Sequence, residues 1–468
     1  MNKLIYIITL FSILVLLSSC SKYLEVNPDN RVRLETVEDY KAVINGAYPQ
    51  AYHHFTELYT DNVRYYDYPD YNQANITSWL FPIYLWSDSY VSTAISPNSA
   101  WRKYYNDIYE SNIVLEGIDK ATGDDALRES IKGEAYMIRA YCHFMLVNIF
   151  AKHYIPATAD TDLGIPYAME YEKKPGQHYE RPSVQYVYDR VEEDALKALE
   201  MIDESFITVP KFHWSKASIH AFLSRFYLFK EDWERSLYHS EEVFKINGNI
   251  RDFIADYDTY FTKDHGQFAN QYFDSKQGSV LLVNYSVSWN IYNRGSLYAN
   301  EFINQFHAND LRGKIYSRWN VSTPNYMARK FRVDEHPSGD PHADVGLFVV
   351  EEVMYNAAEA SVRKHNPNFQ YAIDKLNAIL KQRWRPFVAL DVSNYMDKDA
   401  LISKILDEKN KELCYEGYRW FDIKRHEITV RHWDGRRYIE LLPDDKRRLV
   451  QIPFEELEAN PMMKPNPR

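Results

Sequence analysis

Residues 133–150 read GEAYMIRAYCHFMLVNIF, with Ala135, Ile138, Tyr141, Cys142, Met145 and Ile149 spaced three and four apart. That spacing stacks them on one face of a helix, which Ile131 extends back toward Leu127. Ala135 and Ala140 leave room for a second helix to approach closely. Just upstream, Trp101–Lys120 (WRKYYNDIYESNIVLEGIDK) repeats the pattern through Tyr104, Ile108, Val114, Leu115 and Ile118. The two stretches predict an antiparallel helix pair.

The same signals recur along the chain. Ser183 caps a helix to about Ile202, and Trp214–Phe229 places the small residues Ala217, Ala221 and Ser224 near one face. After the turn at Lys230-Glu231-Asp232-Trp233 a further helix runs to Ile246. Phe348–Arg363 holds Ala357, Ala358 and Ala360; HNPN then turns the chain into a helix over Phe369–Trp384. Ala400–Tyr415 closes the series with Leu401, Ile405 and Leu413 inward and Lys404, Asp407 and Lys411 outward. Helix pairs with small residues at their crossings predict an all-α body, for which tetratricopeptide repeats are the nearest type.

Two regions break this pattern. Residues 51–98 are rich in Tyr, Trp, Pro, Asn, Asp and Ser and include YYDYPDY, Tyr65–Tyr71. Residues 247–345 hold short strand-like runs such as Val280–Tyr285 among loops. Loops of that length in a compact protein are functional or disordered, and their aromatic content argues for order. They are expected to form a face carried on the helical scaffold.

The chain opens MNKLIYIITLFSILVLLSSC, an apolar run of signal-peptide length that falls short of the roughly 20 residues needed to cross a bilayer. Leu17-Ser18-Ser19-Cys20 resembles a bacterial lipobox, which makes Cys20 the lipid attachment site and residues 1–19 a signal peptide. Cys142 and Cys414 remain, each in an apolar segment, and are expected as buried free thiols. A net charge of -11 argues against a nucleic-acid partner. Thirty-nine tyrosines against 15 glycines point to a wet recognition surface.

Four stretches together resemble the SusD/RagB family of outer-membrane nutrient-binding lipoproteins. They are Cys20–Pro28 (CSKYLEVNP), Gly133–Phe150, Lys409–His426 (KNKELCYEGYRWFDIKRH) and Gln451–Asn466 (QIPFEELEANPMMKPN). The third carries the signature residues Glu412, Leu413, Glu416, Gly417, Arg419, Trp420, Asp422 and Arg425. The resemblance spans nearly the whole chain and implies one domain over 20–468, built from four tetratricopeptide-like helix pairs with ligand-binding insertions. It implies a glycan ligand, or a peptide for RagB-type members, and delivery to a SusC-like TonB-dependent transporter at the outer membrane. No enzymatic activity and no cofactor are implied. The sequence departs from the pattern in lacking an acidic cluster after Cys20, where Ser21-Lys22 stand, and in placing Lys230-Glu231 where glycine is common.

Read for chemistry, the signature is structural: Gly417 suits a left-handed helix stop, and Glu416, Arg419, Asp422 and Arg425 can form ion pairs that fix the turn. His336, Asp340, His342 and Asp344 form the most metal-like cluster, but without a recognised zinc spacing it reads as a polar loop. His53-His54 and Glu192-Glu193-Asp194 read as solvated faces. There is no G-x-S-x-G or phosphate loop; an anchored glycosidase, whose carboxylates are scattered in sequence, stays as an alternative. Sugar binding needs flat rings and planar polar groups. Tyr65, Tyr66, Tyr68, Tyr71, Trp79, Tyr84 and Trp86 supply rings in the first insertion, beside Asp67, Asp70, Asn72, Gln73 and Asn75. Trp289, Tyr292 and Trp319 supply them in the second, beside Asn290, Asn293, Arg294 and Asn320.

Overall fold

The computed structural model describes residues 34–65, 77–172, 176–261, 277–286, 297–298, 300–320, 325–328, 330, 334–335, 341–434 and 436–468. Among them, α-helices of seven residues or more are α1 (Val37–Gly46), α2 (Thr77–Tyr84), α3 (Pro97–Gly117), α4 (Asp125–Phe150), α5 (Val184–Met201), α6 (Lys216–Phe229), α7 (Trp233–Ile246), α8 (Val350–Arg363), α9 (Phe369–Leu380), α10 (Lys398–Leu413) and α11 (Arg419–Arg425). The strands are β1 (Arg64–Tyr65), β2 (Val280–Ser286), β3 (Leu297–Tyr298), β4 (Ser317–Asn320), β5 (Asn325–Ala328), β6 (Asp334–Glu335), β7 (Pro341–Val349), β8 (Val430–Trp433) and β9 (Tyr438–Leu441). The fold is the expected stack of tetratricopeptide-like helix pairs with minor β structure.

Side-chain caps start the helices where the sequence asks for them. Asp124 accepts from Leu127 N, Ser183 from Tyr186 N, and Ser215 and Ser218 form a reciprocal box at the start of α6. From Gly133 on, α4 is buried on almost all sides, because α3 and α5 pack against it and α6 lies beyond. Its buried Arg139, His143 and Asn148 side chains are therefore paired within the protein. Arg139 makes a bidentate pair with Asp194 at 2.7 and 2.8 Å, and His143 Nε2 accepts from Ala168 N at 3.0 Å. In the second half of the scaffold, α6 pairs with α7, and α8 packs on α7, α9 and α10. Cys142 and Cys414 are buried and free, and burial raises both thiols.

Several sequence readings are corrected by these packings. Phe348 and Val349 belong to β7, where they pair with Leu282 and Val280, so α8 starts at Val350. Asp194 is buried on Arg139 instead of facing solvent, and Glu192 pairs with Lys230 at 2.5 Å. Lys411 is buried, holding Asp407 at 2.6 Å. His53 and His54 sit in the core on a 3-10 turn over Tyr52–Tyr59; burial lowers both imidazoles, His54 to about 3.

The signature segment joins α10 to α11 and is buried. Gly417 takes φ +80°, where a Cβ would sit 2.9 Å from Thr56 Oγ1 and 3.0 Å from the His53 carbonyl oxygen. The Glu57 carboxylate accepts from the Tyr415 and Gly417 N–H groups at 3.0 and 2.9 Å. The charged signature residues pair largely outside the signature: Glu416 with Lys330 at 2.5 Å, Arg419 with Asp61 at 2.8 Å, and Arg425 with Glu359 at 2.5 Å. Asp422 faces Lys409 at 3.3 Å. Glu412 accepts from Arg383 Nη2 at 2.8 Å and from Arg312 Nη1 at 3.0 Å. Burial pushes its carboxyl up, but the two guanidinium groups outweigh that and bring it to about 2.

Gly417→Ala should lower stability by about 2–4 kcal/mol in urea unfolding, since both the left-handed backbone and fixed backbone atoms oppose a Cβ. Gly176→Ala, at φ +85° with nothing within 4 Å, should cost only about 1 kcal/mol. Equal costs would contradict the steric part of this account. The Lys424 ammonium, donating to the Asn148 and Ala151 carbonyls at 2.6 Å, is lowered from 10.5 to about 7 by burial, with Arg448 adding to the effect. Its contribution to stability is present above 10.5 and is lost as pH falls toward 7, by about 1.4 kcal/mol per unit. Lys424→Met should flatten that loss between about pH 10 and 7 in parallel denaturation series; an identical slope in both proteins would refute it.

Candidate functional site

The two insertions meet in a strand pair. β1 and β3 are antiparallel, with Arg64 opposite Tyr298 and Tyr65 opposite Leu297. Beside β1 lies the β8–β9 hairpin, in which Trp433 stands opposite Tyr438. Asp434 closes its turn by accepting from the Arg436 and Arg437 N–H groups at 2.7 and 2.8 Å.

Side chains from β1, from the helical turn Asn300–Ile303 that follows β3, and from the hairpin converge there. The Trp433 and Tyr438 rings pack edge to face, centroids 5.1 Å apart at 67°. The Arg64 guanidinium lies 5.3 Å from the Trp433 centroid and donates to Glu301 Oε1 at 2.6 Å. Tyr438 Oη donates to the same carboxylate oxygen at 3.1 Å, and Arg431 sits 4.8 Å from the Tyr438 ring. These groups are partly open to solvent: 38% for Arg64, 56% for Glu301 and 40% for Tyr438. An ion pair so exposed adds little stability, so its effect is to orient rings and planar charged groups on an open surface. Flat rings edged by hydrogen-bonding side chains suit a ligand with apolar faces and many hydroxyls.

Beneath this surface the chain is stiffened by a three-ring stack. His432 lies between Tyr84 and Trp86, with centroid distances of 4.0 and 4.2 Å and interplanar angles of 2° and 13°. Burial lowers the imidazole to about 4, although hydrogen bonds to Thr60 and Tyr84 raise it. Trp86 has φ +57°, is 3% exposed and donates Nε1–H to Tyr59 O at 3.2 Å. The expectation that Trp86 and Tyr84 offer rings to a ligand is therefore corrected: both are packed inside, where they support the surface from below. Tyr66, Tyr68, Tyr71, Trp289 and Tyr292 lie outside the described residues. β1, α2 and β4 carry the backbone of Tyr65, Trp79 and Trp319, whose side chains also lie outside them.

The metal-like His336–Asp344 loop lies largely outside the described residues. Glu359, Asp422 and His426 come within reach of a single ion, but Glu359 is already paired with Arg425 at 2.5 Å and Arg363 at 3.1 Å. Those guanidinium groups supply the positive charge that a metal would bring.

A family model described as "SusD family" matches residues 149–468, and one described as "Starch-binding associating with outer membrane" matches residues 22–228. The chain belongs to the SusD family. Among the relatives of this SusD-family protein are two SusD-like proteins of Formosa agariphila. One is 23% identical over 88% of this chain and 89% of its own length, the other 22% identical over 99% and 97%. A SusD superfamily protein of Bacteroides thetaiotaomicron superposes with TM-score 0.72 at 20% identity, covering 92% of this chain and 100% of its own. A Bacteroides vulgatus structure described as a putative sugar binding protein also gives 0.72 at 20% identity, over 93% and 99%.

Trp433, Tyr438 and the Arg64–Glu301 pair escaped the sequence reading. Asp434-Gly435 between Arg431-His432-Trp433 and Arg437-Tyr438-Ile439 is a hairpin signal that marks the turn, though not its neighbour β1. Trp86→Ala should cost about 3–5 kcal/mol of stability, whereas Tyr438→Ala should stay within about 1 kcal/mol. Thermal and urea unfolding compare them, and a Tyr438 variant as damaged as the Trp86 variant would make the surface ring a core residue.

Proposed function

We propose that this SusD-family protein is an outer-membrane lipoprotein, lipidated at Cys20, that captures oligosaccharides at the cell surface and delivers them to a SusC-like TonB-dependent transporter. The observation that carries this reading is the β1–β3 pairing, which joins the two aromatic insertions beside Trp433 and Tyr438. The helical scaffold holds that face still, so rings stack on sugar faces and planar side chains bond hydroxyls without prior rearrangement. Tyr65, Tyr66, Tyr68, Tyr71, Trp79, Trp289, Tyr292 and Trp319 are the ligand-facing rings of this proposal, with Trp433 and Tyr438 at their edge. The cycle is capture, closure over the transporter and handover, with no bond broken in the ligand. The family description naming starch and the sugar-binding description of the Bacteroides vulgatus neighbour support the ligand class.

Isothermal titration against a glycan panel that includes maltoheptaose tests it. Trp289→Ala and Trp79→Ala should each weaken the best ligand about tenfold or more, about 1.4 kcal/mol, with the fold intact. Unchanged affinity in both variants would remove this face from the site. Release of reducing ends from the panel would make the protein a glycosidase, and mass-spectrometric recovery of a copurified peptide would make it a peptide carrier.

A further inference from the structure

The ring of His432, buried between Tyr84 and Trp86 below the strand surface, makes two contacts that a neutral imidazole cannot satisfy together. Its Nδ1 lies 2.7 Å from the Tyr84 carbonyl oxygen and its Nε2 2.7 Å from the Thr60 carbonyl oxygen. A carbonyl oxygen only accepts, so each contact calls for an N–H. A neutral ring carries one N–H, and its bare nitrogen would set a lone pair against an oxygen lone pair at 2.7 Å. An imidazolium carries two. His143, equally buried, shows the neutral case: its Nδ1 donates to the Arg139 carbonyl oxygen at 2.8 Å and its Nε2 accepts from Ala168 N at 3.0 Å.

The surroundings of His432 favour the charge as well. Tyr84 and Trp86 stack on the ring at 4.0 and 4.2 Å and nearly parallel, so a cation there meets two π-systems at once. Tyr84 is the last residue of α2, and its carbonyl sits at the negative end of that helix. Asp61, on the segment after the 3-10 turn, also draws a proton to the ring, although it shares its charge with Arg419 at 2.8 Å. The neighbouring cations are themselves paired: Arg447, 5.5 Å from the Trp86 centroid, holds Asp445 at 2.6 Å, and Arg431, next to His432 on β8, holds Glu440 at 3.2 Å. Burial opposes a charge on the ring and pulls it toward about 4. Against burial stand a second carbonyl bond that exists only in the charged form, two stacked rings and a helix end.

We propose that His432 is held as an imidazolium, a charged pin that fixes the β8–β9 hairpin to the first insertion, and that the strand surface loosens when the pin loses its proton. The consequence for glycan affinity rests on the sugar-binding reading above, whereas the charge itself does not. Trp433, the next residue, donates its N–H to Tyr84 Oη at 3.1 Å and carries the ring beside which Arg64 lies. Deprotonation turns two attractive carbonyl contacts into one attractive and one repulsive, at the base of Trp433. Stability follows with a definite sign. A ring whose proton is held more tightly in the folded state contributes stability that is complete below the ordinary 6.5 and is lost as pH rises. A ring kept neutral by burial does the reverse and loses stability as pH falls below 6.5.

Three measurements on the full mature chain test the proposal. In nuclear magnetic resonance with nitrogen-15 histidine, the His432 ring, assigned by its contacts to the Tyr84 and Trp86 rings, should show two N–H protons at about pH 6.5. One N–H and one bare nitrogen overturns the proposal, whether or not any variant folds. In urea unfolding between about pH 5 and 9, the folding equilibrium constant of the wild type should fall at least about tenfold more than that of His432→Phe as pH rises from 6.5. An excess loss that appears below pH 6.5 instead, or no excess at all, also overturns it, and His432→Gln replaces the phenylalanine variant should that one fail to fold. In titration calorimetry, the tightest glycan of the panel should bind at least about threefold more weakly at pH 9 than at pH 6.5 to the wild type, with no such change in the variant. Equal affinity at the two pH values overturns the link between the pin and the strand surface. A chain that binds no glycan at either pH contradicts the sugar-binding reading, and the charge of the ring is still decided by its N–H count.

Discussion

The Glu412 carboxylate, held between the guanidinium groups of Arg383 and Arg312, is the contact on which the remaining layers depend. Glu412 comes from α10, Arg383 from the turn after α9, and Arg312 from the second insertion. Arg383 reaches on to Glu351 of α8 at 3.1 Å, and Arg312 to Asp310 at 2.7 Å and to Glu408. Three helical layers and the insertion thus share one buried charge network. Removing charges from water is costly, and an apolar cluster of equal volume would often be as stable. What the network adds is specificity: one partner removed strands the others, so the insertion has a single position on the scaffold. We take this role as the reason the glutamates of the signature segment sit where they do.

From that fixed point the face follows. Lys330, also in the second insertion, bonds Glu416 and the backbone carbonyls of Glu412 and Cys414. Glu57 and Thr56 bond the Gly417 backbone from the start of the first insertion. Both insertions are therefore tied to the stretch Glu412–Gly417 before they meet each other at β1 and β3. A surface placed this way loses little freedom on binding, which is how modest ring and hydroxyl contacts yield useful affinity.

The scaffold was legible in the sequence because helical periodicity and capping are local. Ser183 and the small residues of α4 and α6 announce their helices within a few positions. The strand Val280–Tyr285 was legible for the same reason. What misled were charged and polar residues whose partners lie far along the chain: Asp194 faces Arg139 across 55 positions, and His53 packs on Tyr104 across 51. No local pattern distinguishes such a residue from a solvated one. Trp86 was misjudged in the same way, since its burial is created by His432, more than 300 residues later. Trp433 and Tyr438 were missed because a hairpin can be read locally, whereas the strand it lies against cannot.

Hydrogen exchange on the mature chain, with and without saturating concentrations of the tightest glycan from the panel, tests the central claim most directly. A prebuilt scaffold predicts that α8, α10 and residues 414–418 exchange slowest and do not change on binding, while new protection is confined to residues 64–65, 297–301 and 430–441 and the insertion segments around them. Glycan-induced protection spread through α4, α8 and α10 would mean that the ligand organises the scaffold, and would contradict the account.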